Sequence, residues 1–292
     1  MQRKIAVGAF NTANLEGLEA ILGAAEELGL PVIAQFAQCH ENLTPLEVIG
    51  PAMVHMAKRA AVPVCVHLDH GETLDYLKKA LDIGFTSIMY DGSVLPYDEN
   101  LKNTRLAVEM AGKAGASVEA ELGSMGRGET GSGDTAGEDE TKIYTDPELA
   151  GKFAAASSID ALACSFGTTR GIYLTEPRLD FSAVSRVRSA TGGISVVMHG
   201  GSGVSREDFA KAIRAGVRKI NYFTYIYGQG GRVGSFGPYR EAEGKAPVFL
   251  GHGLRRPWGD EGERERGHAY FRNAVRGGPY EDRGTGYWLN RL

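Results

Sequence analysis

Residues 63–93 read PVCVHLDHGETLDYLKKALDIGFTSIMYDGS. The run PVCVHLDH (63–70) is apolar and β-branched and ends in ionisable groups. DYLKKALDIGF then carries apolar residues at three- and four-residue spacing and stops beside a glycine. TSIMYDGS (86–93) opens a second short β-rich run. Strand, helix, strand is the pattern of two parallel neighbours joined by a crossover helix. The same rhythm extends in both directions at intervals of about 30 residues. Further strands are predicted at KIAVGAFN (4–11), PVIAQFA (31–37), ASVEAELG (116–123), DALACSFG (160–167), ISVVMHGG (194–201) and RKINYFT (218–224). LEGLEAILGAAEELGL, ENLKNTRLAVEMAGKAG and REDFAKAIRAGV have helical periodicity. Eight such strands predict an α/β fold, a single closed (β/α)8 TIM barrel, over an open doubly wound sheet. The open sheet is usually announced by GxGxxG after its first strand, and AFNTANLEG is not that.

Two segments break the rhythm. SMGRGETGSGDTAGEDETKIYTDPE (124–148) follows the fifth strand and is rich in Gly, Thr, Ser and acids. A loop that long in a compact domain is functional or disordered, and this one leaves the barrel on the face where such folds keep their chemistry. It is expected to be a mobile active-site loop. The second segment is everything after about Tyr227, rich in glycine and arginine, with both tryptophans, Trp258 and Trp288. Glycine disfavours helix by up to about 1 kcal/mol each relative to alanine, yet a barrel needs a helix after its eighth strand. Residues 1–227 are therefore expected to form the barrel. Residues 228–292 are expected to be an atypical tail, poorly ordered or the product of a reading-frame error, or else a genuine extension.

The composition is that of an ordinary soluble globular protein, 42% hydrophobic and 23% charged among 292 residues. A formal net charge of -4 gives no electrostatic reason to expect nucleic acid or an anionic membrane as partner. No apolar run reaches the ~18 residues of a membrane span, and MQRKIAVGAF lacks the pattern of a signal peptide. Cys39, Cys65 and Cys164 lie far apart with no CxxC pair, which suggests reduced thiols in a cytoplasmic protein. All three are expected to be buried as small hydrophobes.

In a parallel barrel, function collects at the C-terminal ends of the strands. Those ends carry Asn11, Gln35, Cys39, His40, His67, Asp69, His70, Asp91, Ser93, Glu119, Glu121, Thr168, Thr169, Arg170, His199, Gly200, Gly201, Ser202, Asn221 and Thr224. So many polar groups on one rim suit a small, highly polar, phosphorylated ligand. HLDH puts His67 and Asp69 on one face of the strand, with His70 at its exit. An acid beside an imidazole suits proton transfer, or a metal ligand beside a base. Imidazoles from separate strands are typical zinc ligands. HGGSG and KINYFT end strands seven and eight, where barrels often bind phosphate through backbone N–H groups exposed by glycines.

Taken together, AFN, HLDHG, SIMYDGS, VEAELG, FGTTRGIY, EPRLDF, HGGSGV and GVRKINYFT resemble the class II, metal-dependent fructose-bisphosphate and tagatose-bisphosphate aldolases, over about residues 4–226. The resemblance implies a lyase of carbohydrate metabolism, as in glycolysis. It would cleave a ketose bisphosphate to dihydroxyacetone phosphate and an aldehyde such as glyceraldehyde 3-phosphate. It implies one catalytic Zn²⁺, with Co²⁺ or Mn²⁺ as substitutes, and a homodimer or homotetramer. Asp69 matches the acid/base acting on the C4 hydroxyl, and His70 and His199 match zinc ligands. Asp91 and Glu121 match acids around the metal. Glu129, with Glu138 behind it, is the candidate loop glutamate that exchanges a proton with the enediolate. Gly171, Gly200, Ser202, Asn221 and Thr224 match ketose and phosphate contacts, and Asn11 and Gln35 are supporting or substrate contacts.

One position departs. The family pattern Gly-Thr-x-His-Gly ends strand six with a third zinc ligand, and here that residue is Arg170. Arginine stays protonated and has no lone pair to give. Three readings follow: Glu121 or Asp91 supplies the missing ligand; the chain is a catalytically inactive sugar-phosphate-binding barrel; or the guanidinium replaces the metal as electrophile. Arg170 could equally swing out and pair with an acid of the long loop.

Overall fold

The computed structural model describes residues 5–122, 144–168 and 178–223. Eight parallel strands close into a barrel in sequence order, each pairing with the next and the last with the first. They are β1 (Val7–Asn11), β2 (Val32–Ala37), β3 (Val64–Gly71), β4 (Ser87–Tyr90), β5 (Ser117–Glu121), β6 (Ala161–Ala163), β7 (Ser195–Met198) and β8 (Val217–Tyr222). Helices α1 (Leu15–Leu28), α2 (Leu46–Arg59), α3 (Leu74–Ile83), α4 (Tyr97–Ala114), α5 (Pro147–Ser157), α6 (Phe181–Ala190) and α7 (Arg206–Ala215) alternate with them. All eight strands coincide with the runs read from the sequence. β4, β6 and β7 stop several residues short of the predicted ends. The chain leaves the sheet there.

Local chemistry starts and stops the helices. Asn14 caps α1 by accepting from Gly17 N at 2.9 Å, and Ser205 caps α7 through Asp208 N at 3.1 Å. Asp146 accepts from Glu148 N at 2.8 Å, with Pro147 as the first residue of α5. The segment expected to be loop through Glu148 is therefore fixed from Tyr144 onward. Tyr144 bridges Phe166, and Thr145 N donates to Ser165 O at 2.9 Å.

Alternation along the strands separates two environments. Phe36, Val66, Leu68, Ile88, Val118, Leu162, Val196 and Ile220 point outward and join the helices in one large apolar core. The inward positions hold two small apolar clusters, Val7, Ala9, Ile33 and Cys65, and Ala161, Ala163 and Val197. The remaining interior is polar, including buried Gln35, His67, Asp69, Glu119, Glu121, His199 and Lys219. Barrel interiors are ordinarily filled with branched apolar side chains. So much buried polarity marks the upper half of this barrel as a site.

Cys65 and Cys164 are buried as expected, and burial raises their thiols to about 11 and about 12. Cys39 corrects the expectation, because it is exposed. It lies on the 3-10 turn Gln38–His40, where strand alternation has ended. His40 takes the buried place instead, against Phe36 and Phe223. Among the described residues no helix is long and apolar enough to cross a membrane. The tail after Tyr227, and most of the loop after β5, lie outside the described residues.

Candidate active site

The floor of the site is a buried charge network. Lys219 and Glu119 are both fully buried, with Lys219 Nζ donating to Glu119 Oε2 at 2.7 Å. Burial alone would favour protonated Glu119, but the Lys219 charge and the hydrogen bond from His199 outweigh it and bring the carboxyl down to about 2. Lys219 also approaches His67 Nε2 at 3.3 Å. An ammonium only donates, so Nε2 accepts and His67 Nδ1–H donates to Ser87 Oγ at 2.8 Å. Burial, then the Lys219 charge, push the His67 imidazole down to about 3, so this ring is neutral. On its other oxygen, Glu119 Oε1 accepts from His199 Nε2 at 2.9 Å. With that proton on Nε2, the ring nitrogen left to act as a ligand is Nδ1, which is buried and has no hydrogen-bond partner among the described residues.

The end of β3 supplies the opposite wall. Leu68 pairs with Ile88 but Gly71 pairs with Tyr90, so β3 spends one more residue than β4 across Asp69–His70. His70 has φ +46, a left-handed conformation that costs a side-chain-bearing residue of order 1–3 kcal/mol. Bulges of this kind re-aim a side chain. Regular alternation would send Asp69 and His70 to opposite faces. Here the His70 ring meets the His199 ring edge-on, with centroids 4.7 Å apart. His70 Nδ1 lies 2.7 Å from Asp91 Oδ2, and Ser93 Oγ donates to Asp91 Oδ1 at 2.6 Å.

Asp69 sits between three side-chain amides. Oδ2 accepts from Asn11 Nδ2 at 2.9 Å and from Gln35 Nε2 at 3.5 Å, while Oδ1 accepts from Asn221 Nδ2 at 3.0 Å. Burial opposes ionisation, but the neighbouring His70 and the Lys219 charge overcome it and hold this carboxyl well below the usual range. Beyond β7, Gly201 N donates to Asn221 O at 3.0 Å and Ser202 Oγ accepts from Phe223 N at 3.4 Å. This ties the HGGSG turn to the end of β8. A Cβ at Gly201 would stand 2.7 Å from Asn221 O, so only glycine allows the close approach.

Ligand atoms of Asp69, His70 and His199 all lie within 4.8 Å of one another, as do those of His70, Asp91 and Glu121. Glu121 Oε2 is 3.5 Å from His199 Nδ1 and 3.9 Å from His70 Nδ1. Imidazole with carboxylate is a donor set for zinc, cobalt or manganese. His199 Nδ1 borders this cluster. The described residues therefore fit a divalent cation.

Residues 1–230 match the family described as "Fructose-bisphosphate aldolase class-II". The chain belongs to the class II fructose-bisphosphate aldolase family. It is 40% identical over 229 residues to the fructose-bisphosphate aldolase of Geobacillus stearothermophilus, covering 77% of each chain. It is 39% identical over 220 residues to the sulfofructosephosphate aldolase of Alkalicoccus urumqiensis, covering 75% of each. The crystal structure of the YdjI aldolase from Escherichia coli K12 aligns with a TM-score of 0.68 at 36% identity, over 77% of this chain and 78% of that one.

Of the residues that the sequence singles out, Asn11, Gln35, Asp69, His70, Asp91, Glu121, His199, Gly200, Ser202 and Asn221 all lie at or beside the C-terminal mouth of the barrel. Glu129, Glu138, Arg170, Gly171 and Thr224 lie outside the described residues. Lys219 was not anticipated. Its signal was present, because it stands two residues before Asn221 on β8 and so shares that residue's inward face.

Proposed function

We propose that this chain cleaves a phosphorylated ketose by a retro-aldol reaction, yielding dihydroxyacetone phosphate and an aldehyde. One observation carries the reading: imidazoles from β3 and β7 converge on a buried, ionised Asp69 at the mouth of the barrel. A divalent cation held by His70 and His199, with Asp91 or Glu121 beside it, would supply Lewis-acid polarisation of the ketone carbonyl. Asp69 takes the proton of the C4 hydroxyl. The C3–C4 bond then breaks, its electron pair passes to the ketone carbon and oxygen, and an enediolate is left. A proton returned to C3, for which Glu129 is the candidate donor, completes dihydroxyacetone phosphate. Asn11, Gln35 and Asn221 orient Asp69, and the HGGSG turn with Ser202 is the phosphate-binding candidate. Fructose and tagatose bisphosphate are the leading substrates, and a sulfonated relative serves as a third arm because one similar aldolase is named for sulfofructose phosphate.

The test is production of dihydroxyacetone phosphate in a coupled assay with added Zn²⁺, Co²⁺ or Mn²⁺. Turnover that disappears in His199→Ala is the expected result. Arg170, at the position of the family's third histidine, favours a second reading: a sugar-phosphate binder without turnover. Saturable ligand binding with no product at any metal would establish that reading over the first.

A further inference from the structure

Glu119 divides its two oxygens between partners of opposite consequence. Oε2 receives Lys219 and Oε1 receives Nε2–H of His199, and none of the three residues is more than 1% exposed. Glu119 lies on β5 and Lys219 on β8, and His199 directly follows β7, beneath the mouth of the barrel. A histidine ring presents a lone pair on one nitrogen only when its proton is held on the other; Glu119 Oε1 stands 2.9 Å from Nε2 whereas Glu121 Oε2 stands 3.5 Å from Nδ1, so the nearer carboxylate decides which.

We propose that Glu119 is a positioning residue which, anchored by Lys219, fixes His199 in its Nε2–H tautomer and so aims the Nδ1 lone pair at the mouth of the barrel. Its effect on metal binding rests on the reading of His199 as a ligand; the tautomer itself does not. In Glu119→Gln, Lys219 still requires an acceptor at the Oε2 position, so the amide oxygen must face the lysine. The amide NH₂ then faces His199 Nε2 and donates to it. That forces the proton onto Nδ1, where it blocks the site. Removing the lysine as well, in Lys219→Met/Glu119→Gln, frees the amide to turn over. Its NH₂ can then donate to His67 Nε2, which lies 3.6 Å from Glu119 Oε2 and is an acceptor. The amide oxygen returns to His199. Lys219→Met/Glu119→Leu provides the contrast, with no acceptor at all.

The experiment uses the full chain, ¹⁵N-labelled and metal-free. Long-range ¹H–¹⁵N spectra read the imidazole tautomer, with His199→Ala to assign the ring, and Co²⁺ titration reads metal affinity. The expected tautomer is Nε2–H in the wild type, Nδ1–H in Glu119→Gln, and Nε2–H again in the Met/Gln double variant. Co²⁺ affinity should fall about tenfold to a hundredfold in Glu119→Gln and recover in that double variant. The Met/Leu variant should lose both the tautomer preference and the affinity. Neither double variant buries an uncompensated charge, so that pair decides the matter even where Glu119→Gln does not fold. A tautomer unchanged across all variants overturns the proposal. If His199→Ala binds Co²⁺ as tightly as the wild type, it is the ligand reading that fails, and the tautomer spectra still judge Glu119.

Discussion

Asn11 Oδ1, Gln35 Oε1 and Asn221 Oδ1 are all buried without a hydrogen-bond partner among the described residues, although each amide donates to Asp69. Buried acceptors of this kind suit the hydroxyls of a sugar. The amides thus have two faces, one holding the acid and one with an acceptor that a polyol hydroxyl would satisfy. Asp69→Asn keeps the shape but removes both the charge and the proton acceptor. Cleavage is expected to fall by about 10²–10⁴ in kcat, with a smaller change in KM, as steady-state kinetics would measure. A kcat within threefold of the wild type would remove Asp69 from the chemistry. HLDH makes this residue a candidate because proton transfer calls for an acid beside imidazole at a strand end. The arrival of His70 beside it was not legible, because it depends on a bulge and a positive φ that no periodicity encodes. Lys219 escaped for a different reason. A lysine in a strand reads as a solvated edge, and only closure of the barrel places it opposite Glu119.

At the scale of elements, the strands were legible because each is a short apolar run bounded by polar or glycine punctuation. The helices were less uniform. α2 contains Gly50 and Pro51, which interrupt a helical reading, yet Leu46, Ile49, Met53 and Val54 bury one face and hold it together. Tertiary packing there outweighs local propensity. Two glycines separate element stability from site geometry. Gly23, inside α1, has nothing within 4 Å of an added Cβ, so Gly23→Ala should stabilise the fold by about 0.5–1 kcal/mol through helix propensity alone. Gly201→Ala drives a Cβ to 2.7 Å from Asn221 O and 3.0 Å from Ile220 Cγ2. It should destabilise by roughly 1–3 kcal/mol and raise KM by displacing the Asn221 end of β8. Urea denaturation of both variants and KM for Gly201→Ala are the measurements. A neutral Gly201→Ala would mean that β7 and β8 part at little cost.

For the whole molecule, the decisive feature is that the two imidazoles are contributed from opposite sides of the closed sheet. His70 lies at the end of β3 and His199 directly follows β7, four strands apart in a ring of eight. An ion held by both adds a tie across the barrel to the hydrogen bonds that already join Asp69 with Asn221 and Glu119 with His199. Binding to the folded state alone stabilises by RT ln(1 + [L]/Kd), about 2.7 kcal/mol at a hundredfold excess over Kd. For a domain of this size each kcal/mol raises Tm by roughly 2–4 °C, so saturating Co²⁺ should lift the wild type by roughly 5–10 °C, and chelation should reverse it. Arg170 enters here as a sequence-level departure, since a cation at the position of the family's third histidine lends no ligand and opposes a dication. Arg170→His should therefore reach the same shift at a lower Co²⁺ concentration, and His199→Ala should show none. If His199→Ala shifts like the wild type, the ion is binding elsewhere. If Arg170→His and the wild type respond at the same concentration, the arginine does not weaken the site, and the case for a barrel that binds but does not cleave loses its support.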